Sequence, residues 1–133
     1  MIWTVCLLLA TLNHARILAQ HGLFWDYGGV GTASALYWSS LTIVDPFVAS
    51  LLFIRPTFGI PVTVALITSN VVHNLTVTAT FSGEGEFLSQ AISSWTIVSQ
   101  VAFMLFVAAT APTAWRGRKV TARPIESDEL NAR

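Results

Sequence analysis

Four long apolar runs, separated by short polar or glycine-rich segments, organise this chain. Each is close to the ~20 residues that a helix needs to cross a bilayer's hydrocarbon core. The pattern predicts an all-α integral membrane protein with spans near residues 2–20, 32–54, 60–81 and 87–111. Short connections make consecutive spans antiparallel, which gives an up-down bundle in one four-helix domain, residues 1–111. Pro112 should end the last helix, and residues 112–133 read as a disordered cytoplasmic tail with a basic start and an acidic end. The first run is read as a retained span: nothing basic precedes Arg16, and no Ala-x-Ala cleavage site follows.

Polar positions interrupt the runs, and those interruptions carry the information. In the second span, Tyr37-Trp38-Ser39-Ser40-Leu41-Thr42-Ile43-Val44-Asp45-Pro46 places a carboxylate and a proline inside an apolar stretch. A carboxylate at the bilayer centre costs about 3 kcal/mol on insertion scales. Pro46 lacks an N–H and crowds the preceding turn, so the helix should kink there. Alternatively, Asp45 caps a new half-helix that Pro46 begins, and the span is broken. The third span carries Asn70, His73 and Asn74, whose i, i+3, i+4 spacing puts them on one face. Pro61 suits the first turn of that helix, after a turn over residues 55–61. The fourth carries several serines with Gln90 and Gln100, and Ser89 with Ser93 forms a small-xxx-small pair suited to close helix approach.

Composition agrees with the pattern. The chain's 133 residues are 53% hydrophobic and only 11% charged, against roughly 25% charged in a soluble domain. The formal net charge of zero conceals an asymmetry, since five of the seven Lys and Arg residues follow position 115. The positive-inside rule then places both termini and Arg55 in the cytoplasm, and the Asp26 and Glu84 loops outside a plasma or inner membrane. Arg16 fits this less well and is expected to snorkel or to face Asp26. Cys6 is the single cysteine, which rules out an intramolecular disulfide.

Counting ~1.5 Å per residue from the outer ends gives a ladder of polar residues. His14 and His73 lie roughly 10 Å deep, Asn70 below them, and Asp45 roughly 20 Å deep beside Gln100. Asn74 shares the face of Asn70, and Trp38 supplies an aromatic wall at the histidine level. Two functional readings follow. In one, Asp45 and the histidines carry protons or a small solute; in the other, a small-molecule ligand sits between helices with its polar or cationic head on Asp45 or His73. Asp45, His73, Asn70, His14, Asn74, Trp38 and Gln100 are the candidate residues. The alternative is a structural or accessory subunit, in which the same groups only bond helices together.

Chemistry has little support. No His-Glu-x-x-His or Gly-x-Ser-x-Gly motif occurs. The reading is therefore not an enzyme, with no cofactor or metal, although His14 and His73 at like depth would suit a haem in a bundle. Basic residues form no aromatic-interleaved patch, which argues against nucleic acid. The expected partners are the lipid bilayer and other copies of the chain, because four short helices enclose little volume.

Overall fold

In a computed structural model that describes residues 1–118 except Phe24, every regular element is helical. They are α1 (Ile2–His21), α2 (Thr32–Ile54), α3 (Pro56–Phe81), α4 (Phe87–Ser93) and α5 (Trp95–Gly117). All except α4 are long and apolar enough to cross a membrane. Large apolar side chains such as Ile43, Phe47, Phe53 and Leu105 are exposed on the outside of the helices. Such a surface suits hydrocarbon better than water.

The helices pack in the order α1 on α2, α2 on α3 and α3 on α5. Two apolar clusters hold them. Trp3, Ile60, Ile67, Val71 and Val107 join α1, α3 and α5, and Leu7, Val48 and Ala49 join α1 to α2. α1 and α5 have no comparable packing of their own. Beyond shared apolar clusters, they are bonded where the Trp3 indole N–H donates to Thr110 Oγ1 at 3.0 Å.

Several expected boundaries move, each for a local reason. α2 runs without interruption through Asp45 and Pro46, so the two half-helices of the broken reading do not form. The expected turn over residues 55–61 shrinks to Arg55, because Pro56 takes the first helical position of α3 and leaves Pro61 inside the helix. That abrupt reversal requires Gly59. A Cβ built there would lie 2.7 Å from the backbone carbon of Leu51 and the backbone nitrogen of Leu52, a separation no side chain tolerates.

The expected fourth span is divided. α4 stops at Ser93, and Ser94 caps α5 by accepting from the Ile97 N–H at 3.4 Å. Serine competes with the helix backbone for hydrogen bonds, so two in succession favour a cap over an interior turn. Ser89 and Ser93 are exposed, and their hydroxyls donate to the carbonyls of Glu86 and Gln90 rather than meeting another helix. Pro112 does not end α5, which continues to Gly117. A membrane helix accommodates proline because its neighbours and local adjustments satisfy the freed carbonyl. Arg118 then turns back, its guanidinium donating to the Trp115 carbonyl and lying over the Trp115 ring. The expected tail beyond Arg118 lies outside the described residues.

Candidate functional site

The face of α3 that carries Asn70, His73 and Asn74 meets α2 on one side and α5 on the other, and there the polar residues divide into two groups. The first is centred on Asn74. Its side-chain carbonyl accepts from the Trp38 indole N–H at 2.9 Å. Its NH2 donates to Gln100 Oε1 at 2.6 Å and to Asn70 Oδ1 at 3.3 Å. One amide thereby bonds α2, α3 and α5 together. Nearby, the Tyr37 and Ser69 hydroxyls lie 3.1 Å apart and add a second α2–α3 bond.

His73 belongs to an aromatic cluster beside this hub. Its ring centroid is 4.4 Å from that of Tyr37 and 5.3 Å from that of Trp38. The stack continues outward through Tyr27 and Trp25 to His21, with centroid separations of 4.6, 4.4 and 3.9 Å. The loop that delivers Trp25 and Tyr27 turns at Asp26, whose Oδ1 accepts from the Gly28 N–H at 3.1 Å. Tyr27 itself sits at φ 56°. Asp26 therefore has a local hydrogen-bonding task apart from the expected pairing with Arg16.

The second group lines a cavity of about 430 Å³ bounded by α1, α2, α3 and α5. Asp45, His14, Asn70 and Gln100 all reach it. Asp45 is only 4% exposed, and among the described residues no hydrogen-bond donor or cation meets its carboxyl. His14 is 8% exposed, and its Nδ1 is buried without a hydrogen-bond partner. Asn70 and Gln100 join the two groups, since each gives its carbonyl oxygen to Asn74 while lining the cavity. The remaining walls are largely apolar: Leu7 and Ala10 from α1, Leu66 and Ile67 from α3, and Trp95 and Phe103 from α5.

Four of the seven sequence candidates therefore share the cavity. The other three, Asn74, Trp38 and His73, form the adjoining layer instead. His14 and His73 consequently do not face one space: His14 is on the cavity, whereas His73 is tilted against Tyr37 and edge-on to Trp38. The paired-histidine arrangement that would hold a haem is not formed. Among the described residues, no three His, Cys, Asp or Glu side chains cluster to hold a metal ion.

Depth counting overlooked the contribution of α1. Cys6, Ala10, Asn13 and His14 all line the cavity, and their i, i+4, i+7, i+8 spacing was a readable stripe of small and polar residues among leucines. Thr96, Ser99, Gln100 and Phe103 form the matching stripe on α5. A buried, unbonded carboxyl on an apolar-walled space is equipped to hold a polar or charged group brought in from outside. No family model, curated protein or solved structure matches this chain, so any function assigned to the cavity must come from its own geometry.

Proposed function

We propose that this chain is an integral membrane protein of a plasma or inner membrane that binds or passes a small molecule or proton between its helices. In this reading the four long helices form an up-down bundle, α2 kinks at Pro46, and both termini are cytoplasmic. The absence of Lys and Arg from the residue 22–31 and 82–86 segments supports that orientation, as does Arg55 at the opposite end of the helices. Copies of the chain associate in the membrane, because four short helices enclose little volume.

The observation that carries the functional reading is the unpaired carboxyl of Asp45 on the cavity. A group kept only for helix association would be expected to find a partner helix, as Asn74 does. A volume of about 430 Å³ is also within the range of small-molecule sites. A second reading draws on the Asn74 hub. There the polar groups are consumed by interhelical bonds, as they would be in a structural or accessory subunit.

The deciding experiment compares the native protein with Asp45→Asn. Proteoliposomes loaded with a pH-sensitive dye report proton flux, and a panel of anionic, neutral and cationic small molecules is scored by thermal shift in detergent. Flux or ligand shifts that depend on Asp45, with an unchanged melting temperature of the free protein, support the pocket. A fall in melting temperature with no flux and no ligand in either protein returns the structural reading.

A further inference from the structure

The cavity is walled on three sides and weakly closed on the fourth. α1 packs on α2, and α5 on α3, but α1 and α5 have no comparable packing on each other, and one side-chain bond, Trp3 to Thr110, ties them at one end. The lining residues change in character accordingly. Asp45, His14 and Asn70 at the back are buried, whereas Leu9 of α1 is 60% exposed and Trp95 of α5 is 82% exposed. Asn13, Thr96 and Ser99, also exposed, complete this rim. Seen from the surface, the gap lies between two helices whose outer faces are apolar, so in a bilayer it opens sideways onto lipid.

The interior restricts what can enter. Asp45 carries the one carboxyl of the lining, and no Lys or Arg joins it, so an anion would find no fixed positive charge there. A bare divalent ion is equally unsuited, since it requires about six or more oxygen ligands. The amide oxygens of Asn70 and Gln100 are already engaged by Asn74, and most of the wall is hydrocarbon. A neutral apolar guest would fill the walls and leave Asp45 without a counter-charge. A guest with an apolar body and one positive charge satisfies both. Its charge meets the carboxyl, its body lies against Leu7, Leu66 and Ile67, and Phe103 and Trp95 add aromatic rings to the lining, a residue type that attracts cations.

We infer, resting on the small-molecule reading of the same cavity, that its ligands are organic monocations with an apolar or aromatic body, which enter from the lipid through the gap between α1 and α5. Asp45 is the counter-ion, and the α1–α5 rim is the portal. The Trp3–Thr110 bond marks the portal's closed end.

Cys6 is the single cysteine and lines the cavity, so the native protein carries its own reporter. The test follows alkylation of Cys6 by N-ethylmaleimide in proteoliposomes, with benzyltrimethylammonium or its neutral carbon isostere, neopentylbenzene, as competitor. The expected result is protection by the cation at concentrations about tenfold or more below those needed for the isostere. Asp45→Asn should abolish that difference, and Asp45→Glu should restore part of it, which separates lost charge from lost folding. A membrane-impermeant sulfonated maleimide should label Cys6 from neither side. Equal protection by both compounds, insensitive to Asp45→Asn, would leave the pocket standing and overturn its cation specificity. Protection by neither, with neutral or anionic ligands emerging from the thermal-shift panel, overturns the cation inference alone. Protection by neither with an empty panel overturns the pocket as well. Rapid labelling by the sulfonated reagent would overturn entry from lipid.

Discussion

The Asn74 layer and the Asp45 cavity lie side by side, share Asn70 and Gln100, and treat polar groups in opposite ways. Around Asn74 the Trp38 indole and the Gln100 amide meet it from other helices and Asn70 from its own, so the bonds link α2, α3 and α5, although His73 beside them keeps a buried Nε2 without a partner. At Asp45 the carboxyl lies on the cavity and meets no donor among the described residues. A polar residue on an apolar helix thus has two distinct uses, and residue type does not tell them apart. The number of partners within reach does.

The largest change expected is one that removes the framework of both regions together. Gly59→Val drives a side chain into the α2 backbone at Leu51 and Leu52, and should cost about 3 kcal/mol or more. Thermal unfolding in detergent reads this directly. A Gly59→Val protein that melts like the native one would mean that α2 and α3 do not meet as closely as Arg55 and Gly59 require.

Asn74→Leu acts on the saturated layer alone. Three hydrogen bonds are lost at about 0.6 kcal/mol each, so the expected destabilisation is about 2 kcal/mol. Cys6 should remain as accessible to N-ethylmaleimide as before, because Asn74 does not line the cavity. If Asn74→Leu left the melting temperature untouched, the hub would not be holding the helices.

Asp45→Asn sharpens the contrast by its opposite sign. An unpaired carboxyl contributes no bond, and its burial is costly, so stability should stay the same or rise by about 1 kcal/mol. The comparison collapses if Asp45→Asn destabilises in detergent as strongly as Asn74→Leu, for then both regions would be structural.

The smallest effect is expected from Trp3→Phe, which keeps the ring's apolar packing and deletes the bond to Thr110. A loss of about 0.6 kcal/mol is expected, with faster Cys6 alkylation as α1 and α5 part. Unchanged alkylation would show that apolar packing alone closes that end.

What could be read from the sequence was the period of the apolar runs and the identity of their interruptions. Span lengths and the helical character of the described residues follow from hydropathy, and depth counting brought Asp45, Asn70, Gln100 and His14 to adjoining levels. Depth, however, is one coordinate of three. It placed His14 and His73 together because they are level, while their rotation about α1 and α3 sends one to the cavity and the other to the rings of Tyr37 and Trp38. Prolines were misread for a related reason. Pro61 and Pro112 look like boundaries under rules drawn from helices in water, yet both lie inside helices here. Conversely, the Ser93-Ser94 pair that divides the fourth run is apolar enough in context to be passed over.

The Trp3–Thr110 bond also bears on how the protein is made. It joins α1 to α5, the earliest and latest made of these five helices, and three of the cavity's four walls exist before α5 arrives. A growing chain can set α1 against α2 and α2 against α3 early, since these are neighbours in sequence. Until the final span docks, Trp3 waits with its N–H unbonded, Asn74 lacks Gln100, and Asp45 lies in an open trough. Completion of the site therefore waits for α5, and a chain stalled before that helix would carry the Asp45 carboxyl without a compartment around it.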